Sequence, residues 1–237
     1  MKITYINHSC FLVEMDKLLL LFDYYSAGLA GDGPVPGIPP LPDKKLYVFV
    51  SHKHHDHFDL KVFGLEELHP DTEYILSKDT KMSERYMVKQ GVPESAWNKI
   101  HYIGKNEHCE AFPGLVITTL TSTDEGVAFL VEAESRILYH AGDLNWWTWI
   151  GETEEEYIDM ERRFKQEIKK LAGIPIDAAF LPLDPRQEER FYWGFDYFMR
   201  HTDTKLAWPM HFWGDSSVIE RLKKMEVSEE YRDRICG

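Results

Sequence analysis

The chain opens with three short apolar runs. Ile3 and Tyr5 alternate with polar positions, Phe11-Leu12-Val13 follow a polar Asn7-His8-Ser9, and Leu18 to Phe22 is apolar throughout and stops at Asp23. Short apolar runs bounded by polar residues are the pattern of strands, and an uninterrupted run implies a strand covered on both faces. Leu46-Tyr47-Val48-Phe49-Val50 repeats the pattern and is closed by Ser51. Glu73 to Leu76, Leu115 to Leu120, Val127 to Val131, Ile137 to His140, Ala178 to Leu183 and Leu206-Ala207-Trp208 are expected as further strands.

Helical spacing is clearest in Glu154 to Ala172. Tyr157, Met160, Phe164, Ile168 and Leu171 recur every three or four residues and form one apolar stripe. Thr153 with Glu156 makes a capping-box pattern, Gly173 and Pro175 supply the stop, and Lys169-Lys170 suit the negative end of the helix dipole. Leu60 to Leu68, Ser77 to Gln90 (stopped by Gly91 and Pro93) and Val218 to Lys224 are expected as helices too. Ser26 to Pro42, rich in Gly and Pro, predicts an irregular segment, either a flap beside a site or a surface excursion. Strands and helices mix in both halves without a fixed-period repeat, which points to an α/β or α+β chain with layered sheets.

Composition narrows the function. With 237 residues, 43% of them hydrophobic and 28% charged, the chain can bury a substantial core as an ordinary globular protein. A formal net charge of −13 opposes a nucleic-acid partner, because phosphate binding is carried by Lys and Arg. The N-terminus lacks the apolar core of a signal peptide, and Leu18 to Phe22 is far short of the ~20 residues of a membrane span, so no membrane partner is expected. Cys10, Cys109 and Cys236 are too widely spaced for a disulfide framework, which predicts a reduced, cytoplasmic setting.

One stretch changes the picture. Ser51-His52-Lys53-His54-His55-Asp56-His57 packs four of the eleven histidines and a carboxylate directly after a strand. His52 and His54, two apart on extended chain, point the same way, while Asp56 and His57 follow where the chain turns. Neutral imidazole and carboxylate are the usual ligands of zinc and similar ions.

His52-x-His54-x-Asp56-His57 resembles the HxHxDH motif of the metallo-β-lactamase-fold hydrolases. Asn7-His8-Ser9-Cys10-Phe11 and Leu20-Leu21-Phe22-Asp23 look like the opening strands of the branch that includes ascorbate-phosphate lactonases. Tyr139-His140-Ala141-Gly142-Asp143 resembles the segment carrying a bridging aspartate, and Pro209-Met210-His211 the late histidine. The resemblance implies one metallo-hydrolase domain over residues 1–237, folded as a four-layer αββα sandwich. It further implies two divalent cations, zinc first and manganese or magnesium as alternatives. His52 and His54 would serve one, Asp56, His57 and His211 the other, and Asp143 would bridge. Such ions would lower the pKa of a bound water from about 15.7 toward ~7, with Asp56 and Asp143 as the catalytic carboxylates. The family's further histidine is missing here: the region reads Leu120-Thr121-Ser122-Thr123-Asp124, where Asp124 offers an oxygen ligand or Ser122 and Thr123 hold a water.

For the substrate, Arg186 is a candidate partner for an anionic group, or is paired with Asp184 or Asp196. His8 either lines the site or closes a turn. Trp146, with Trp147, Trp149, Trp208 and Trp213, offers an aromatic wall or ordinary packing. His55 is out of phase with the ligands, His140 is expected as a buried strand residue or else stands in for the missing ligand, and His69, His101, His108 and His201 have no ligand spacing. The leading expectation is a hydrolase of a small ester, lactone or phosphoester, with a small-molecule partner. A nuclease of the same fold, or a binding or sensing protein with a degraded metal site, are the alternatives.

Overall fold

The structure, a computed structural model, describes residues 1–31 and 33–237. Two compact units divide the chain, Met1–Gly104 and Lys105–Gly237.

The first unit is a six-stranded sheet in which spatial order follows sequence order. β1 (Lys2–Asn7), β2 (Cys10–Glu14) and β3 (Leu18–Phe22) form an antiparallel meander; β4 (Lys45–Val50), β5 (Thr72–Ser77) and β6 (Ile100–Ile103) then add in parallel. Leu18–Phe22 is buried along its whole length, as its unbroken apolar run implies. Alternate residues of the sheet, Leu19 and Leu21, Leu46, Val48 and Val50, Tyr74 and Leu76, share one core with Phe63 and Leu65. The Ser26 to Pro42 segment covers part of that core: Val35 is buried in it, and the Tyr24 hydroxyl donates to the Pro36 carbonyl at 2.8 Å. Asn7 holds the segment's start through the Tyr25 and Ala27 carbonyls.

The second unit has the same plan, its strands again adjacent in chain order. β7 (His108–Cys109), β8 (Leu115–Thr121), β9 (Val127–Ala133) and β10 (Arg136–His140) run antiparallel, and β11 (Pro175–Pro182) and β12 (Asp203–Met210) continue in parallel. Two six-stranded sheets, each with helices, establish the expected α/β class. β12 is longer than the three residues expected because Pro209 does not stop it. An edge strand needs no N–H on its outer side, so proline is tolerated there.

The helices are α1 (Leu65–Leu68), α2 (Glu84–Gln90), α3 (Glu94–Trp97), α4 (Glu154–Ile168), α5 (Trp193–His201) and α6 (Ser217–Lys224). The expected capping box at Thr153 and Glu156 is formed, and α4 tightens into a 3-10 turn before Ala172. The helix expected from Ser77 begins only at Glu84. Ser77 still belongs to β5, and the Ser83 side chain accepts from Tyr86 N–H, so the cap sits at Ser83. α5 was not expected from the sequence: Phe195, Phe198 and Met199 stand at helical spacing, but Gly194 and the aromatic residues are weak helix formers. Packing holds it: Tyr139 stacks on Phe198 at 4.9 Å, and Trp146 lies among Phe164, Trp193 and Tyr197.

Gly194 lets this helix approach the 143–147 loop. A Cβ there would come within 1.9 Å of Asn145 Oδ1, whose amide is already committed to Gln187. Gly194→Ala therefore gains helix propensity of about 1 kcal/mol yet overpacks by roughly 1–3 kcal/mol. A net loss of stability is expected in urea denaturation, and an unchanged or higher midpoint would show that Asn145 moves aside freely.

Asp177 in β11 accepts from Ile137 N–H, Arg136 and Lys205 at 2.8–3.0 Å. Burial opposes its charge, but the Lys205, Ile137 and Arg136 hydrogen bonds outweigh that and hold its pKa below the usual value. The stabilisation is present above the unfolded pKa of about 3.9 and is lost as pH falls through the lower folded value. Asp177→Asn should cost about 1–3 kcal/mol at pH 7, with the gap from the parent protein closing below pH ~4. A gap of equal size at pH 3 would remove the charge from the explanation.

Candidate metal centre

In the first unit the centre is built at the carboxyl ends of β3 and β4. Asp23 follows β3 in a left-handed backbone conformation, φ 43°, and is fully buried. Its carboxylate accepts from Ser51 N–H at 2.7 Å and the Ser51 hydroxyl at 2.6 Å, and lies 2.7 Å from His57 Nδ1. A carboxylate only accepts, so His57 carries its proton on Nδ1 and presents the Nε2 lone pair. The same step fixes His52. The single hydroxyl proton of Ser51 goes to Asp23, so His52 Nδ1, 2.9 Å from Ser51 Oγ, is the donor there and its Nε2 is the lone pair.

The remaining donors surround these two. His52 Nε2 is 3.0 Å from His54 Nδ1, and the His52 ring is 4.2 Å from that of His57. Asp56 Oδ2 lies 3.3 Å from His8 Nε2 and 3.9 Å from His57 Nε2. Four ligands about 2.0–2.1 Å from a zinc ion are separated from one another by about 3.3 Å. Buried imidazoles and a carboxylate at these spacings fit a divalent cation in both donor chemistry and distance. His55 is exposed, with its ring edge-on to Tyr25, and stands apart from the ligand atoms as its phase implies.

In the second unit the residues lie at the carboxyl ends of β8, β10, β11 and β12. Asp143 is set by its loop: Ala141 N–H donates to the Phe180 carbonyl, and Trp147 Nε1 donates to the Asp143 carbonyl at 2.9 Å. His211, at φ 62°, has Nδ1 3.0 Å from Asp184 and Nε2 3.4 Å from Asp143 Oδ1. Asp184 therefore does for His211 what Asp23 does for His57. Burial would raise the Asp184 pKa, but hydrogen bonds from His211 and Arg186 outweigh it and hold the group at about 2.

Where a histidine was expected, Ser122 and Thr123 are buried and Asp124 is exposed. The Thr123 hydroxyl donates to the Asn145 carbonyl at 2.6 Å and accepts from Asn145 N–H at 3.0 Å, stitching the turn after β8 to the Asp143 loop. An Asp124 carboxylate oxygen consequently lies within 4.8 Å of one of Asp143.

Arg186 is engaged by Asp184 through Nε and Nη2, with the guanidinium 4.5 Å from the Trp213 ring and 49% of the side chain exposed. Trp146 is taken up by packing around Phe164 and Trp193, under the Lys165 ammonium. The aromatic rings beside His211 are Trp147 at 5.5 Å and Trp213 at 5.6 Å. His140 is buried in β10, where its Nδ1 accepts from Gly142 N–H. The orienting roles of Asp23, Ser51 and Asp184 went unread in the sequence. The signal for the two aspartates was a lone carboxylate after a long apolar run, at Leu18 to Asp23 and at Ala178 to Asp184.

Residues 2–148 match the family model described as the beta-lactamase superfamily domain. The chain belongs to this family. The matched stretch includes the histidine motif and Asp143, while Asp184 and His211 lie beyond it. Among curated proteins, a UPF0173 metal-dependent hydrolase of Methylacidiphilum infernorum is 31% identical over 160 residues, 60% of this chain and 62% of that protein. One of the same name from Desulforamulus reducens is 28% identical over 155 residues, with the same coverage. The chain thus spans about three fifths of the length of these relatives. A Parabacteroides distasonis structure assigned as a metal-dependent hydrolase superposes with a TM-score of 0.63 at 19% identity, over 99% of this chain and 90% of that one. Igni18, a metallo hydrolase from Ignicoccus hospitalis, gives 0.57 at 16% identity, over 88% and 81%. These structures share the fold.

Because Asp23 and Asp184 each fix a histidine through Nδ1, Asp23→Asn and Asp184→Asn should each weaken divalent-metal affinity about 10–100-fold. Competition against a chromophoric chelator measures this. Parental affinity in both variants would refute the orienting role.

Proposed function

We propose that the chain is a metal-dependent hydrolase of a small ester, lactone or phosphoester, working with two divalent cations. The observation that carries the reading is the linked set Asp23, Ser51, His52 and His57, which commits two buried imidazoles to present Nε2 lone pairs. Family membership and the names of the curated relatives support it. On this reading His52, His54, Asp56 and His57 are the ligands in the first unit, and Asp143 and His211 those in the second.

Cations bound there supply Lewis-acid polarisation of the attacked carbonyl or phosphoryl oxygen and acidify bound water. The chain's own residues do the rest. Asp23 and Asp184 keep the ligand histidines in one tautomer. The exposed Trp213 offers apolar surface beside His211 for the organic part of a substrate, with the buried Trp147 packed against the same imidazole. Arg186, stacked on Trp213, keeps part of its guanidinium accessible to an anionic group although Asp184 holds one edge. His8 lines the first-unit cluster beside Asp56. Zinc suits the imidazole-rich first unit, whereas the Asp124–Asp143 oxygen pair tilts toward manganese or magnesium.

The net charge of −13 weighs against a nuclease. Among the described residues no helix is long and apolar enough to cross a membrane. A cytoplasmic location is part of the proposal and rests on the cysteine pattern, with Cys10, Cys109 and Cys236 all unbridged.

Metal analysis of the purified protein should give two equivalents per chain. Hydrolysis in a screen of esters, lactones and phosphoesters should fall about 10³-fold or more in His57→Ala and Asp143→Ala, since metal catalysis supplies several kcal/mol. Full activity after chelation would sink the reading. Less than one equivalent of metal would favour a binding or sensing protein, and turnover confined to RNA or DNA would favour a nuclease.

A further inference from the structure

The histidine motif accounts for three imidazoles in the first unit, but a fourth is gathered with them from a different strand pair. His8 sits in the two-residue turn between β1 and β2 and is 4% exposed. Its Nε2 is 3.3 Å from Asp56 Oδ2, and its ring centroid is 5.6 Å from that of His57. His8, Asp56 and His57 each offer one ligand atom, and these atoms lie within 4.8 Å of one another.

We propose that His8 is itself a metal ligand, through Nε2, on the same cation as Asp56 and His57. This rests on the metal centre described above and adds to it an imidazole from outside the HxHxDH motif.

Three observations carry the assignment. The 3.3 Å separation is long for a charge-assisted hydrogen bond, typically about 2.7–2.9 Å, but equals the spacing of two ligands around one tetrahedral cation. His8 is held in the left-handed region at φ 49°, as Asp23 is at φ 43°. An L-residue pays for that conformation, and such strain gathers where a side chain must be aimed. The neighbouring Asn7 side chain clamps the turn through the Tyr25 and Ala27 carbonyls, and Tyr25 lies edge-on to the His8 ring at 5.9 Å. The turn is thus held at both its backbone and its ring, which fixes where Nε2 points.

The chemistry also separates His8 from the residues that only orient ligands. Asp23 and Asp184 meet a histidine at Nδ1, on the far side from its ligating nitrogen. His8 instead meets the carboxylate of Asp56, itself a candidate ligand, on the side that His57 Nε2 also faces.

The test uses the full chain stripped of metal and titrated with zinc against a competing chelator, then with cobalt(II) followed by its visible absorption. His8→Ala should weaken binding of one cation about tenfold or more and shift the cobalt bands, while the other cation binds as before. His8→Gln separates ligation from hydrogen bonding. Its amide can still donate to Asp56, so near-parental affinity in this variant would overturn the proposal, and a loss matching His8→Ala supports it. X-ray absorption on the zinc protein should show one imidazole fewer in both variants. The exposed His55→Ala is the control expected to keep both cations. Circular dichroism of the metal-free proteins checks folding, and the Gln variant, closest in size to histidine, keeps the test open if the Ala variant fails to fold. Parental metal content and cobalt spectrum in His8→Ala would overturn the assignment while leaving the hydrolase reading intact. Two tightly bound cations, weakened in both His8 variants but without hydrolysis of any substrate, would do the reverse.

Discussion

The carboxylate of Asp23 is the constraint on which the first unit's chemistry depends. It is fully buried, yet it accepts from one backbone N–H, one hydroxyl and one imidazole, so the cost of burying its charge is offset by short hydrogen bonds. Each of those donors belongs to the segment that follows β4. Closing the carboxylate therefore closes the segment onto the end of β3 and decides two histidine tautomers together. Without it the motif would be a polar loop whose imidazoles could rotate and share protons in several ways.

Strand direction explains why the ligand candidates collect where they do. In open sheets with parallel strands, ligands bind in the crevices beyond the carboxyl ends of the strands. Asp23 and the histidine motif follow β3 and β4; Asp143, Asp184 and His211 follow β10, β11 and β12. In each unit an aspartate one or two residues beyond an apolar strand orients a histidine that follows the neighbouring strand. The apolar runs thus do two jobs. They drive the sheet into the core, and they deliver a polar residue to the one edge where it can be satisfied by side chains.

Much of this was legible in the sequence, for physical reasons. Every apolar run of four or more residues became a strand or part of one, because burial of a continuous run leaves little choice. The capping box before α4 was readable since both partners are local. α5 was not, since its stability comes from rings contributed by β10 and α4. The histidine motif announced itself by density. Asp184 looked like an ion-pair partner for Arg186, which it is, but its contact with His211 spans 27 residues, and its place after an apolar run was the one local sign of it. Trp146 and Trp147 are adjacent and alike in composition, so only the turn of the backbone decided which packs against α5 and which faces His211.

The turn after β8 carries hydroxyls and a carboxylate where the resemblance implies a histidine. Ser122 and Thr123 are buried and do structural work: Ser122 Oγ accepts from Asp124 N–H, Thr123 ties the turn to Asn145, and Arg163 of α4 donates to the Thr123 carbonyl at 2.6 Å. With both hydroxyl residues occupied in this way, the exposed Asp124 is left to carry charge toward Asp143. Two carboxylates that close repel each other and gain from a cation between them. Oxygen donors are harder than imidazole and discriminate less in favour of zinc. The Asp124–Asp143 pair thus presents harder donors than the imidazoles of the first unit.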